Sequence, residues 1–266
     1  MDPLLKYHKE CSINYKKMKL IISHLLFLFV LLASCGNNKN DSQEQEIPKD
    51  AIVAKKISTP NIQAHEIPDI FAANKLDYHA VSVINWPEQY PYLPKVDFAI
   101  AHNGDNLLIH YRVTEKRTIG TMENDLDAVY KESCCEFFCM PDDGNDYYNI
   151  ESNCLGSILM ECGKGRSNRV TSTADNLKQI QRWASLGRKS VGTITSQTHW
   201  ELALVVPVTA FWKHNISNLS GKTFLANVYN CVGSGDDRQY VTWHPITSDA
   251  PDFHRPEFFK PVYFEK

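Results

Sequence analysis

Asp125–Gly156 reads DLDAVYKESCCEFFCMPDDGNDYYNIESNCLG. Ser133 to Met140 is rich in Cys and Phe, Pro141-Asp142-Asp143-Gly144-Asn145-Asp146 carries turn chemistry, and Tyr147 to Cys154 alternates again. That pattern predicts a β-hairpin. Successive side chains of a strand point to opposite faces. The first strand therefore divides into Cys135, Phe137 and Cys139 on one face and Cys134, Glu136, Phe138 and Met140 on the other. The second divides into an apolar row, Tyr148, Ile150, Ser152 and Cys154, and a hydrogen-bonding row, Tyr147, Asn149, Glu151 and Asn153. A face turned to bulk water more typically carries Lys, Thr or Ser, whereas this row offers donors, acceptors and an aromatic face. Two readings stand for it: a solvated outer face or a ligand-facing one.

Outward from the hairpin, Val96 to Ala101 and Leu107 to Thr114 alternate around His102-Asn103-Gly104-Asp105-Asn106, whose Asn-Gly marks a second hairpin. Further strands are predicted at Tyr78 to Ile84, Ser157 to Glu161, Trp200 to Val206, Phe224 to Cys231, Tyr240 to Trp243 and Phe258 to Phe264. Helical pattern is confined to a brief suggestion at Asp175 to Trp183 and a short piece at Val208 to His214. Ala51 to Asp77, interrupted by Pro60 and Pro68, reads as a surface lead-in. The cluster Trp86-Pro87 and Tyr90-Pro91-Tyr92-Leu93-Pro94 is a loop or edge, because proline cannot pair there. It reads as a plug over one end of the core, with a ligand rim as the alternative. About ten short strands, many turns and no long helical periodicity make the chain all-β, an antiparallel β-sandwich.

The 266 residues carry a net charge of -3 and 22% charged side chains. Neither a basic stripe nor an acidic tail is present, so nucleic acid is not expected as a partner. Lys16, Lys17 and Lys19 precede the apolar run Leu20 to Leu32, too short to span a bilayer comfortably, which ends in Leu32-Ala33-Ser34-Cys35. This resembles a bacterial lipoprotein signal with its lipobox, and the resemblance implies that Cys35 is lipidated. An ordinary cleaved signal is the alternative, and Met18-Lys19-Leu20 is the more natural start. The chain divides into a signal (1–34), a polar flexible tether (35–50) and one β-domain (51–266). The expected location is the bacterial cell envelope, anchored in the outer membrane.

Of eight cysteines, Cys11 and Cys35 belong to the leader and lipid site. Cys134, Cys135, Cys139, Cys154, Cys162 and Cys231 remain, and adjacent Cys134 and Cys135 face opposite ways. No paired CxxC exists to build a structural zinc site. The expectation is small buried hydrophobes with at most one bridge. Gly163-Lys164-Gly165-Arg166-Ser167 lacks the spacing of a phosphate-binding loop. No Gly-x-Ser-x-Gly elbow points to a nucleophilic hydrolase.

Several motifs then occur in order. They are Tyr130-Lys131-Glu132-Ser133-Cys134-Cys135-Glu136-Phe137-Phe138, the Tyr147 to Gly156 segment, Trp200-Glu201 leading to Pro207, Trp243-His244-Pro245, and Pro251-Asp252-Phe253-His254-Arg255-Pro256. From Tyr78 to Phe264 the chain resembles the family 9 carbohydrate-binding modules, and more narrowly their lipoprotein relatives in Bacteroidetes. The resemblance implies a jelly-roll-like sandwich that binds sugar without catalysis. In such modules two rings clasp a terminal sugar while carboxylate, amide and arginine groups bond its hydroxyls. Carried onto this chain, Tyr130 takes the place of a clasping Trp, six residues before the hydroxyl acceptor Glu136. Trp243 is the candidate second ring, with Tyr229 as its competitor; Trp243 also reads as a ring that closes the sandwich. Asn153, Asn227 and Asn230 are candidate amides. Arg112 is the candidate arginine, or else a structural ion-pair partner of Glu136. Some family members bind calcium structurally, and Asp142, Asp143 and Asp146 could supply oxygens, as could Asp125 and Asp127; turn preference explains the first group equally well. No other cofactor is expected. The implied partners are oligo- or polysaccharides, the membrane through Cys35, and separate glycoside hydrolases.

Two other classes compete. Glu136 and Glu151, on adjacent strands, fit the paired carboxylates of a glycoside hydrolase. Alternatively, the sandwich resembles DOMON-like domains that bind haem or another non-sugar ligand. Haem would need axial His or Met in one pocket, and His79, His102, His110, His199, His214, His244 and His254 are scattered, with Met140 and Met160 read as core filler.

Overall fold

In the computed structural model, which describes residues 47–141 and 144–266, Ser133–Met140 and Tyr147–Asn153 pair antiparallel, with Phe137 opposite Ile150 and Glu136 opposite Glu151. The signal, Cys35, most of the tether, Asp142 and Asp143 lie outside the described residues.

Sixteen strands are present among the described residues. In chain order they are β1 (Ile52–Lys56), β2 (His79–Ala80), β3 (Val83–Ile84), β4 (Lys95–His102), β5 (Asn106–Glu115), β6 (Thr118–Gly120), β7 (Ser133–Met140) and β8 (Tyr147–Asn153). There follow β9 (Ile158–Gly163), β10 (Val170–Thr171), β11 (Gln181–Ala184), β12 (Gly192–Ile194), β13 (Thr198–Pro207), β14 (Thr223–Val232), β15 (Gln239–Thr242) and β16 (Lys260–Phe264). One sheet runs β10-β9-β8-β7-β14-β16-β1 and the other β1-β4-β5-β13-β11. The two faces pack together as an all-β sandwich. One edge of β14 is shared: its first half pairs with β16 and its second half with β15.

β1 departs from the antiparallel pattern. Ile52 to Ala54 pair parallel with β16, and Lys55 and Lys56 pair parallel with β4, so this single strand stitches both sheets.

The period-2 division of the hairpin is borne out. Cys135, Phe137, Cys139, Tyr148 and Ile150 join Ile109, Tyr111, Trp200 and Leu204 in the core between the sheets. Each such large apolar side chain contributes about 1.5–3 kcal/mol on burial. The opposite face of the hairpin is not solvated: Cys134, Phe138 and Tyr147 form a second apolar layer with Trp86, Tyr229, Phe253 and Phe259. On the outer face of the other sheet, Ala99, Ala101 and Ala203 leave room for α1 (Ile67–Ala73), which buries Ile67 and Phe71 there.

Ala51 to Asp77 is therefore structural rather than a lead-in. Pro68 sits in the first turn of α1, where its missing N–H costs nothing, so it starts a helix instead of breaking one. The helix near Asp175 is one turn, α2 (Ala174–Leu177), and Trp183 lies in β11. Val208 to His214 yields only a 3₁₀ turn at Val208–Ala210. Tyr78 to Ile84 splits into the two-residue strands β2 and β3. The Asn103-Gly104 turn forms as read, with Gly104 at φ +93°. All six cysteines of the domain are buried and free.

Candidate functional site

A cavity of about 400 Å³ lies over the second apolar layer, on the outer face of β7, β8 and β14. Pockets that hold small ligands run roughly 300–1,000 Å³. Its floor is Glu136 and Phe138 of β7, Glu151 of β8 and Cys231 of β14. Glu161 of β9 and Arg166 of the following turn line one side, Tyr240 of β15 another, and Asp252, Phe253 and His254 a third. Tyr130, in a 3₁₀ turn at Val129–Lys131, stands at the mouth and is 42% exposed. Two cavities of about 420 and 460 Å³ lie elsewhere, and their carboxylates, Asp105, Asp50 and Asp77, are all exposed.

The floor is built outward from Arg169. Its guanidinium donates to Asn149 Oδ1 through Nε (3.1 Å) and Nη2 (2.8 Å), to the Tyr147 carbonyl (2.8 Å) and to the Gly165 carbonyl (2.8 Å). It also lies over the Tyr147 ring, 4.2 Å from its centroid. Because Asn149 Oδ1 is held by Arg169, Asn149 Nδ2 is free to donate to Glu151 Oε1 at 2.9 Å. Glu151 Oε2 is buried with no protein partner. Glu136 Oε1 accepts from the Cys231 thiol at 3.1 Å.

Burial sets the charge of these groups. Glu151 is pushed up to about 7 by desolvation, with Glu161 adding to the rise and Asn149 and Arg169 opposing it. Glu136 is driven well above the usual carboxylate range by desolvation, reinforced by Cys231 and by Glu151. His254, whose Nδ1 is 2.9 Å from the Tyr147 hydroxyl, is pushed down to about 3 by burial and by Arg169 and Arg166, and is uncharged at neutral pH.

Of the residues singled out from the sequence, the structure brings Tyr130 and Glu136 together at this cavity. Glu151 joins them on the floor. Tyr229 is fully buried beneath it, stacked on Phe253. Asn153 faces the same side but is consumed by structure, donating to the Met122 carbonyl and Glu132 and accepting from Ser157 N. Asn227 is bonded to both backbone groups of His244. Asn230 points into the sandwich, donating to the Cys134 carbonyl and accepting from Gln239. Arg112 lies on the other sheet, over the Tyr78 ring and 4.0 Å from Asp97, so it is no ion-pair partner of Glu136. Trp243 packs on Phe98 and His79 and lines a different cavity.

Strand parity separates the two rings. Val241 is the apolar core residue of β15, so Trp243, two residues on, shares its face, while Tyr240 faces outward opposite Cys231. The Trp86 and Tyr90 cluster serves this wall: both rings pack on Tyr240, and Trp86 Nε1 donates to the Ser248 carbonyl. Arg169 was not singled out, and Arg166 and His254 were named only in other readings, because nothing in the local sequence ties Arg169 or His254 to hairpin partners 20 and 107 residues away.

Of the acidic loop trio only Asp146 is described, and among the described residues no three His, Cys, Asp or Glu side chains converge as a metal site. Asp125 is occupied by Arg182 at 2.5 Å and by Ile158 N.

Residues 65–264 match the family model described as carbohydrate-binding family 9. The chain belongs to that family. It is similar to a candidate carbohydrate-binding protein from Bacteroides uniformis, at 33% identity and a TM-score of 0.78, over 81% of this chain and 99% of that one. It also shares its fold with a family 9 module from Caldicellulosiruptor kristjanssonii in complex with cellotriose, at 11% identity and a TM-score of 0.50, over 81% and 93% of the two chains. Curated proteins give no significant match. For this family 9 chain, the outer face of β7, β8 and β14 is the surface to consider.

Proposed function

We propose that the domain binds carbohydrate non-catalytically in the cleft over β7, β8 and β14. The observation that carries this is the meeting, in a family 9 chain, of two tyrosines with a buried polar floor: Tyr130 at the mouth and Tyr240 in the wall, with Glu136 and Glu151 on the floor. A pyranose needs both, since its C–H faces pack on rings and its hydroxyls require paired partners once out of water. Tyr240 takes the second-ring role expected of Trp243. The chain as a whole acts as a cell-envelope lipoprotein, held through Cys35, that captures poly- or oligosaccharide for partner glycoside hydrolases. The leader pattern Leu32-Ala33-Ser34-Cys35 supports that anchoring.

Isothermal titration calorimetry against a panel of plant and host oligosaccharides, with and without calcium, tests the reading. Micromolar binding, about -8 kcal/mol, is expected, abolished by Tyr130→Ala and Glu136→Ala. Heat with no glycan on the panel sinks it. Release of reducing ends during the titration would instead favour a glycosidase built on Glu136 and Glu151.

A further inference from the structure

Glu136 and Glu151 stand directly opposite each other on neighbouring antiparallel strands, a placement that sets Cβ atoms about 4.5–5.5 Å apart. They are 2% and 4% exposed and both line the cleft. The cations nearby are already engaged. Arg169 is spent on Asn149, backbone carbonyls and Glu161, 3.8 Å away; Arg166 lies 3.8 Å from Asp252. Among the described residues neither floor carboxyl has a salt-bridge partner. The other ionisable neighbours add no positive charge: Cys134 on β7, Tyr229 on β14, Tyr147 on β8 and Tyr240 on β15 are a thiol and phenols held protonated by burial, Cys231 on β14 and Tyr130 at the rim carry a thiol and a phenol, and His254 is neutral. Two carboxylates so placed, away from water and without a counter-ion, do not both ionise.

We propose that Glu136 and Glu151 hold one proton between them and form a donor–acceptor floor that selects an uncharged sugar unit over its uronic acid counterpart. This rests on the sugar-binding reading above. The shared proton lets one carboxyl donate to a sugar oxygen while the remaining oxygens, including the unpartnered Glu151 Oε2, accept from hydroxyls. A uronate would set a third carboxylate against the pair, and Arg166, the guanidinium that lines the cleft, already faces Asp252.

The test uses the full-length protein on oligosaccharides in matched pairs, ending in glucose or glucuronic acid and in galactose or galacturonic acid. The neutral member of a pair is expected to bind about tenfold or more tightly near pH 7. Its affinity should fall several-fold once the pH is raised past about 7, the region in which Glu151 titrates, as the shared proton leaves. Glu151→Gln should flatten that profile whatever its affinity. Isotope-edited infrared spectra of the wild-type protein, labelled at glutamate, should show a protonated buried carboxyl at neutral pH, a readout that needs no variant to fold. Uronate binding equal to the neutral partner, or no protonated band, overturns the shared proton and leaves sugar binding standing. No binding to any glycan overturns both.

Discussion

Tyr229 and Phe253 lie face to face, their ring centroids 4.2 Å apart and their planes 7° from parallel. The Tyr229 hydroxyl also donates to the Phe253 carbonyl at 3.1 Å, so one side chain grips both ring and backbone of the segment that walls the cleft. Phe253→Ala should cost about 3 kcal/mol, in the range for buried aromatics, and weaken glycan binding because Asp252 and His254 lose their seat. Urea unfolding with calorimetry on the same sample checks it; unchanged affinity would mean that the wall takes no part in binding.

Arg169 links β8 to the β9–β10 turn through bonds that no smaller cation can copy. Arg169→Ala leaves Asn149 Oδ1 and the Tyr147 and Gly165 carbonyls without their donor, at about 1–3 kcal/mol for each group kept from water. Arg169→Lys should rescue little, since the planar fork serves several acceptors at once. Thermal unfolding of the two variants should place them close together, well below the wild type.

Tyr130 and Trp243 are expected to behave as opposites. Tyr130→Ala removes an exposed ring and should leave stability within about 0.5 kcal/mol while lowering affinity. Trp243→Ala removes packing against Phe98 and should cost about 2 kcal/mol while leaving the affinity of the folded protein unchanged. Paired unfolding and binding curves separate the two. A loss of binding in Trp243→Ala would return that ring to the site.

The floor carboxyls give stability a pH dependence of definite sign. Glu151 titrates at about 7 in the folded protein, above its ordinary value of 4.5, so folding favours the protonated form. Its contribution is whole below about pH 4.5 and is lost as pH rises through about 7, a difference of roughly 3 kcal/mol if taken alone. Urea midpoints measured from about pH 5 to about pH 8 should therefore decline, and Glu151→Gln should remove most of that slope.

The hairpin could be read from sequence because its signal is local. Alternation in Ser133 to Met140 and Tyr147 to Asn153 assigns faces without knowledge of the rest of the chain, and Tyr130 and Glu136 are close enough to it to be found together. β1 was not legible: five residues with a mixed pattern gain strand character only from partners near the other end of the domain and in the other sheet. Pro68 misled because the same residue breaks a helix interior and starts a helix, and local sequence did not distinguish the two. The amides illustrate a different limit. Asn153, Asn227 and Asn230 have the chemistry to bond hydroxyls, but turns and strand ends consumed that capacity first, and only the fold shows which acceptors were already served. Tyr240 was missed where parity was available, obscured by the larger ring of Trp243 three residues later.

β1 has a consequence in time as well as in space. Its partner β16 lies about as far away as the domain allows, and Lys56 N, at the end of β1, donates to the Glu265 carboxylate across 209 residues. Contacts of such separation form late and slowly, because a long loop must close before any of them is gained. As the polypeptide emerges from the ribosome, the half of β1 that pairs with β16, Ile52 to Ala54, has no mate until almost everything else has been made. The seam between the sheets is thus sewn last.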